Sequence, residues 1–341
     1  MQVKVLGIDI GKTSFHVIGL DQNDKIVVRK KFSRTQLLQY TANLPSCLIG
    51  MEACCGAHHL GRALAAQGHD VRLMPAEYVR PYVKSHKNDF RDAEGITEAV
   101  QRPRMGFVPL KTEEQLDLQA LHRIRERLVS ERTALINQIR GFLLERGIAV
   151  GKGPKRLAKE LPELLEDATN NLSGRMRQLL KELQDQWMDL GEKIEQLDDQ
   201  IQAVVKESAA CQRLLTIPGV GPITATALVA AIGNGAMFRR GRSLAAWLGL
   251  VPRQYSTGGK PKLLGISKRG NSYLRRLLIT GAHSVVQHIH KRPDAFGGWV
   301  KQIMTRCHRN VVIVAVANKL ARTAWAVLSK EEVYRAPSTA C

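Results

Sequence analysis

The chain has few aromatic side chains and no closely paired cysteines. Phenylalanine, tryptophan and tyrosine make up 5% of its 341 residues. The six cysteines show no C-x-x-C spacing, which argues against a zinc knuckle and against a disulfide framework. We therefore interpret them as intracellular thiols.

Long apolar runs are also absent. The run Val311–Ala317 is far shorter than the roughly 20 residues that a membrane helix needs. The chain passes from Met1 directly into a strand-like segment, without the basic and apolar regions of a signal peptide. These features predict a soluble, cytoplasmic protein with no membrane partner.

Acidic residues are outnumbered by basic ones. The chain has 51 lysine and arginine residues against 31 aspartate and glutamate residues, which gives a net charge of +20. Such an excess favours binding to a polyanion, because each neutralised phosphate releases counterions. The 44% of hydrophobic residues is typical of a globular protein, and the length allows two or three domains. Nucleic acid is therefore the first partner that we consider.

Residues 1–110 alternate between strand and helix patterns. The predicted strands are Val3–Ile10, Phe15–Leu20, Ile26–Phe32, Cys47–Met51 and Val71–Met74. Short turns join the first three, which predicts antiparallel pairing. The later strands alternate with helices, one of them predicted to run from Asp92 to Val100. This order predicts a mixed α/β sheet.

Residues 111–208 carry two long, charged helical patterns, 112–147 and 173–208. In the second pattern, large apolar residues recur at alternating spacings of four and three, which is typical of a coiled-coil seam. Glycines and prolines between the two patterns predict a turn with at most a short helix. The simplest arrangement is an antiparallel helical hairpin, which either pairs with a second chain or packs only on itself.

Residues 209–341 are strongly basic, with twenty lysine and arginine residues but three acidic ones. We expect a mainly helical domain that makes most of the nucleic-acid backbone contacts. A Gly219-Val220-Gly221 turn between helical stretches matches the helix-hairpin-helix form, in which backbone amides and the helix start at Thr224 accept a phosphate. The alternative is a tight helical turn that needs glycine only for its positive φ angle, and this alternative explains the same glycines.

A second polar segment of this domain combines a hydroxyl, glycines and cations in Ser256-Thr257-Gly258-Gly259-Lys260. We interpret it as a phosphate-binding loop or, alternatively, as a loop whose serine attacks a phosphodiester and becomes linked to DNA. The cations predicted to contact nucleic acid are Arg253, Lys260, Lys268, Arg269, Arg275 and Arg276.

Four carboxylates stand at the ends of apolar segments. Asp9 ends the first strand and Glu52 ends a later one, with Gly7 near Asp9 expected to leave the backbone open to a ligand. Asp89 and Asp92 are three residues apart, so they share one face if that segment begins a helix. Four oxygen donors suit magnesium in a two-metal site that acts on a phosphodiester. Each acid alone is explained equally well as a turn or helix-capping residue.

Two nucleotide-binding alternatives compete with the metal site. Gly11-Lys12-Thr13 is similar to the end of a phosphate loop, but Leu6 occupies the place of its first glycine. An actin-like or sugar-kinase fold also opens with an Asp-x-Gly pattern. A second phosphate segment is missing, and the basic C-terminal half counts against that fold.

The joint order of the acidic set, the helical hairpin, the Pro-Gly-Val-Gly turn and the Ser-Thr-Gly-Gly-Lys segment resembles one family over essentially the whole chain. It is that of insertion-sequence transposases with a DEDD acidic set and a C-terminal transposase domain, known for RNA-guided recombination with a bridge RNA or seekRNA. The resemblance implies an RNase H-like (RuvC-like) fold for 1–110, a coiled-coil insertion in 111–208 and a transposase domain in 209–341. The implied ligands of magnesium, or of manganese, are Asp9, Glu52, Asp89 and Asp92.

The resemblance also implies a serine nucleophile in the last domain. Ser256 is its match, with Thr257 as the alternative because some family members have serine directly before the glycine. The implied activity is RNA-guided cleavage and rejoining of donor and target DNA, with a guide RNA encoded by the element. We expect homodimers that assemble into a tetramer, and a site that is completed across protomers, in the nucleoid of a bacterium. The alternatives are a junction-resolving nuclease that uses metal-activated water and a non-catalytic nucleic-acid scaffold.

Overall fold

The structure is a computed structural model that describes residues 2–84 and 88–336. Met1 and the end of the predicted 209–341 domain lie outside the described residues. The chain forms two compact units, residues 1–113 and 114–341, and each contains its own hydrophobic core. The division into three domains stays a prediction.

The first unit is built on a five-stranded sheet with the strand order β3-β2-β1-β4-β5. Its strands are β1 (Val5–Ile10), β2 (Phe15–Leu20), β3 (Ile26–Phe32), β4 (Leu48–Glu52) and β5 (Asp70–Met74). β1, β2 and β3 pair antiparallel, whereas β4 runs parallel to both β1 and β5. The predicted mixed α/β sheet is confirmed.

Glycines in this sheet allow one helix to lie close against it. The helices of the unit are α1 (Arg34–Ala42), α2 (Ala57–Ala66), α3 (Ala76–Val79) and α4 (Asp89–Val100). A Cβ atom on Gly7 of β1 would lie 2.5 Å from the carbonyl oxygen of Ala93 in α4, and one on Gly50 of β4 would lie 2.8 Å from Cβ of Val100. Gly7 therefore serves helix packing, and the expectation that it opens the backbone to a ligand is wrong.

The second unit is mainly helical, as predicted. Its elements are α5 (Glu113–Leu144), α6 (Pro154–Glu166), α7 (Gly174–Glu207), α8 (Ala209–Leu215), α9 (Pro222–Ile232), α10 (Gly241–Trp247), β6 (Pro252–Thr257), β7 (Lys260–Ile266), α11 (Ser272–Gln287), α12 (Ala295–Met304) and α13 (Arg309–Lys330). Apolar side chains of α8 to α13 form its larger core.

The long helices α5 and α7 share a smaller apolar cluster with α6. In α7, Leu183, Trp187 and Leu190, which follow the predicted spacings of four and three, pack against this cluster. α6 has 13 residues, so the prediction of at most a short helix between the two long patterns is wrong. Leu157 and Leu161 of α6 are fully buried in the cluster, and this burial offsets the cost of a proline inside the helix. The coiled coil and its dimer stay predictions.

Helix α13 has the length and apolar composition of a membrane span. Half of its most apolar window is buried inside the protein, and Val316, Leu320 and Ala324 belong to the larger core of the second unit. This burial is the pattern of a core helix.

Candidate acidic active site and serine hairpin

Three carboxylates of the first unit converge at one edge of the sheet. Asp9, Asp89 and Asp92 each offer an oxygen atom, and these atoms lie within 4.8 Å of one another. Asp9 comes from the end of β1, and the other two come from the first turn of α4. The close packing of α4 on the sheet therefore brings the helix acids to the strand acid.

Glu52 is the last residue of β4, the strand that lies parallel to β1. Glu52 is not one of the three acids whose oxygen atoms lie within 4.8 Å of one another, but the charges of two of them act on its carboxyl. Burial raises the pKa of the Glu52 carboxyl above its usual value, and the negative charges of Asp9 and Asp92 raise it further. Glu52 is thus coupled electrostatically to Asp9 and Asp92, two of the three converging acids.

The start of α4 favours negative charge. Asn88 caps the helix by accepting a hydrogen bond from the backbone N–H of Phe90 at 3.0 Å. Asp89 and Asp92 lie in the first turn, where the helix dipole stabilises carboxylates. Converging carboxylates repel one another and present only oxygen donors, a set that fits a hard divalent cation such as magnesium or manganese.

A buried histidine beside the acids was missed by the sequence analysis. Nδ1 of His16 lies 3.5 Å from a carboxylate oxygen of Asp89, and its ring meets Phe90 edge-on at 4.8 Å between centroids. The pairing of β1 with β2 sets His16 opposite Asp9. Residues that pair across two antiparallel strands lie on the same face of the sheet. The predicted pairing of the first two strands could therefore have identified His16 as a neighbour of Asp9.

The serine segment of the second unit is an antiparallel hairpin, so the expectation of a loop is wrong. β6 and β7 pair Ser256 with Pro261 and Thr257 with Lys260. Gly258 and Gly259 form the turn, with φ angles of 58° and 75°. Positive φ at both central residues is typical of the tightest hairpin turns.

Ser256 and Thr257 differ in their surroundings on this hairpin. Both residues are exposed, and successive strand residues point to opposite faces. The side-chain amide of Gln254 donates a hydrogen bond to Oγ of Ser256 at 2.8 Å. Arg253 and Lys260 are exposed on the same hairpin. The hairpin therefore carries a hydroxyl held by Gln254 and two exposed cations, a combination suited to binding a phosphate.

The Gly-x-Gly turn precedes α9. Gly219 has a φ of 83°, and a Cβ atom there would lie 2.8 Å from the carbonyl oxygen of Gly281 in α11. Helix packing and backbone conformation therefore account for this glycine. Gly221 caps α9, which begins at Pro222, and Thr224 is buried. Phosphate binding by this turn stays a prediction.

The six predicted cations fall into two groups. Arg253, Lys260, Lys268 and Arg269 are exposed. Arg275 donates hydrogen bonds to the backbone carbonyls of Leu248 at 2.9 Å and Arg269 at 2.7 Å, so it braces the loop before α11. Arg276 forms an ion pair with Glu126 of α5. The two arginines of α11 therefore have structural partners.

The first unit thus places converging acids on a mixed sheet, and the second unit is mainly helical and basic. The sequence profile of the IS110-type DEDD transposase domain matches residues 6–147, and that of the transposase IS116/IS110/IS902 family matches residues 211–296. The chain belongs to this family of insertion-sequence transposases. It is an enzyme that acts on DNA.

Full-length relatives agree with this assignment. A probable family 20 transposase of Pseudomonas aeruginosa is 46% identical over 98% of this chain and 99% of its own length. The transposase for insertion sequence element IS1328 of Yersinia enterocolitica is 44% identical over 97% of this chain and 98% of its own. The transposase for insertion sequence element IS1111A of Coxiella burnetii is 43% identical over 98% and 92%.

Proposed function

We propose that this transposase cleaves and rejoins DNA through a covalent link to Ser256, with a divalent metal held by Asp9, Glu52, Asp89 and Asp92. The observation that carries the metal site of this proposal is the convergence of three of these carboxylates within 4.8 Å, and the exposed Ser256 hydroxyl held by Gln254 supports the serine link. The raised pKa of Glu52, caused by its burial and by Asp9 and Asp92, supports its membership of the group. Magnesium suits such a donor set, and manganese is the alternative.

In the proposed reaction, Oγ of Ser256 attacks the phosphorus atom of a DNA phosphodiester. A bond between the serine oxygen and phosphorus forms while one bridging P–O bond of the DNA breaks, and the leaving strand takes up a proton at its hydroxyl. Bound magnesium would stabilise the negative charge that develops on the phosphate oxygens. Gln254 donates to Oγ, which leaves the proton of the serine free for transfer to a base.

Rejoining is the reverse of cleavage on an exchanged strand. The free hydroxyl of the incoming strand attacks the phosphoserine, a new phosphodiester forms, and the serine hydroxyl is restored. The link conserves the energy of the broken phosphodiester, so the exchange needs no nucleotide cofactor. The acids and Ser256 come from the same protomer or from different protomers in this proposal.

We further propose that a guide RNA encoded by the element pairs with donor and target DNA and supplies specificity. The basic excess of residues 209–341 supports contacts with two nucleic acids, and the long helices α5 and α7 are the proposed dimer contact from which a tetramer assembles. The proposed phosphate-contacting residues are Gly219, Gly221, Thr224, Arg253, Lys260, Lys268, Arg269, Arg275 and Arg276. Sequencing the RNA that copurifies with the protein from bacterial cells tests the proposed guide RNA. We expect an RNA encoded by the element, and a random sample of cellular RNA would contradict the proposal.

A nuclease that uses metal-activated water is the second candidate, because the acidic cluster lies wholly within the first unit. Strand cleavage by Ser256→Ala distinguishes the two proposals, with Thr257→Val as the matched neighbour on the hairpin. We expect Ser256→Ala to abolish cleavage and Thr257→Val to retain it. Full cleavage by Ser256→Ala would instead support the nuclease. Loss of cleavage in Asp9→Asn is expected from both and excludes a non-catalytic scaffold.

A further inference from the structure

The second unit contains a large open groove that lies outside the serine hairpin tip and the Gly-x-Gly turn. Its volume is about 1290 Å³, and one face of α13 forms its floor together with Trp299 of α12. The start of α10, the base of the β6–β7 hairpin and the chain after α13 complete its walls. We call it the α13 groove.

Positive charge dominates the walls of the α13 groove. The cations that line it are Arg240, Arg242, Lys319, Arg322, Lys330 and Arg335, and Glu332 is its one acid within the described residues. Over residues 2–84 and 88–336, none of these six cations forms an ion pair with a protein carboxylate. Their charges are therefore available to an anionic partner.

The floor of the groove is apolar at one end. Val311, Val314 and Ala315 line it, and Val311 is 55% exposed. These positions recur at three and four residues along α13, so they share a helix face. Drug-sized ligands occupy pockets of about 300 to 1,000 Å³, and this groove is larger and open. A polymer with apolar and anionic parts fits it better than a small cofactor.

Lys319 lies where the apolar floor meets the cationic end. Its Nζ atom is 4.3 Å from the ring centroid of Trp299 and 5.4 Å from that of Phe296, so the two rings hold the ammonium group in place. Burial lowers the pKa of Lys319, and the charge of Arg322 lowers it further. A phosphate in the groove would relieve this clustering of positive charge.

We propose that the α13 groove binds a single strand of DNA, with bases on the apolar floor and phosphates on the six cations. Charge complementarity selects a nucleic acid, and the exposed apolar floor selects unpaired bases, since the base faces of a duplex are stacked inside it. DNA is the substrate on which transposases act, and the strand exchange of the proposed function would expose unpaired DNA. The proposal rests on that substrate and is independent of the serine mechanism.

Fluorescence anisotropy of the full-length protein with a labelled DNA strand of about 12 nucleotides, within the span of single-strand sites, tests the proposal. The double variant Arg322→Gln/Lys330→Gln removes two groove charges. The control Lys301→Gln/Arg306→Gln removes two exposed charges outside the groove. We expect the groove variant alone to weaken binding and to reduce the salt slope by about 1.4, since each single-strand phosphate contact contributes about 0.7.

Val311→Ser tests the floor at a position that is 55% exposed. We expect weaker binding of the DNA strand with an unchanged salt slope, because a base contact is lost and no phosphate contact is. Equal losses in the groove and control double variants would overturn the proposal. An equal loss of duplex binding in the groove variant would also overturn it, as would a loss confined to RNA of the same sequence. A change of oligomeric state in Val311→Ser without loss of DNA binding would overturn it as well. Retained strand binding by Ser256→Ala is expected even if the covalent mechanism fails.

Discussion

Nδ1 of His16 lies 3.5 Å from a carboxylate oxygen of Asp89. The two residues come from β2 and from the first turn of α4, and the histidine ring is held from the side by Phe90 at 4.8 Å. The contact orients the most exposed of the three converging acids. His16 is therefore a positioning residue for the proposed metal site.

We expect His16→Ala to weaken Mn²⁺ binding by about 10- to 100-fold, the usual cost of losing a partner of a metal ligand. His16→Gln retains a hydrogen-bonding side chain and should recover most of the affinity. Loss of the free Mn²⁺ signal in electron paramagnetic resonance measures the binding. The exposed His59 provides the control His59→Ala, which should match the unmodified protein. Equal loss of affinity and of melting temperature in His16→Ala and His16→Gln would indicate a purely structural histidine.

Removal of a helix ligand should affect the metal and leave the fold intact. Asp92→Asn replaces one oxygen donor of the cluster by a neutral amide, so we expect Mn²⁺ affinity to fall by at least about tenfold, as for other weakened metal sites. Glu98→Gln is the matched control, since Glu98 lies on the same helix and pairs with Arg102 at 2.6 Å. Isothermal titration calorimetry with Mn²⁺ compares the two. Equal affinities in both variants would contradict the role of Asp92.

The close packing of α4 makes Gly7 sensitive to a single methyl group. Gly7→Ala places a Cβ atom 2.5 Å from the carbonyl oxygen of Ala93, so we expect a loss of about 1 to 3 kcal/mol in unfolding free energy together with weaker Mn²⁺ binding. Gly141→Ala in α5 is the control, because its Cβ would meet no atom within 4 Å. Thermal unfolding measures both variants. An unaltered melting temperature in Gly7→Ala would contradict the packing argument.

A buried histidine of the second unit should make stability depend on pH. Nε2 of His122 lies 3.0 Å from the hydroxyl of Thr226, and Nδ1 lies 3.0 Å from the hydroxyl of Tyr273. Thr226 donates its own proton to the carbonyl of Pro222 at 2.8 Å, so it accepts from Nε2–H while Tyr273 donates to Nδ1. Burial lowers the pKa of His122 from 6.5 to about 4, and the charge of Arg125 contributes.

The folded state thus holds His122 neutral, while the unfolded chain takes up a proton near pH 6.5. Stability should fall as the pH drops from about 6.5 to about 4, by up to about 3 kcal/mol. The other charged groups nearby are Asp198, which pairs with Arg125, and the pair of Glu126 with Arg276. His122→Gln removes the titrating ring and should flatten this part of the stability curve in denaturant unfolding. An unchanged slope in the variant would assign the pH dependence to other groups.

The sequence pattern anticipated the sheet because its strands are short, apolar and separated by clear turns. Ile26–Phe32 has the predicted bounds, and the acids of β1 and α4 were recognised from their places at element ends. Two other features depend on tertiary contacts. Gly7 was interpreted as an open position because the helix that covers it is distant in sequence, and His16 was missed because its partner Asp89 follows 73 residues later.

The second unit was harder to predict for similar reasons. A hydroxyl, glycines and a cation made the Ser256–Lys260 segment look like a loop, whereas the cross-strand pairing of Ser256 with Pro261 forms a hairpin. The prolines of α6 suggested a turn, but its buried leucines stabilise a helix. Arg275 stays a proposed phosphate contact, and the sequence pattern does not reveal that its guanidinium also donates to two backbone carbonyls. Local composition does not reveal such long-range partners.

The covalent role of Ser256 is the central claim, and trapping the protein–DNA link tests it most directly. The transposase is incubated with copurifying RNA, DNA and Mg²⁺, denatured, digested with nuclease and protease, and analysed by tandem mass spectrometry. We predict a nucleotide attached through phosphate to Ser256, absent in Ser256→Ala and retained at Ser256 in Thr257→Val. Cleaved DNA without any attached peptide, or a nucleotide on Thr257, would contradict the claim.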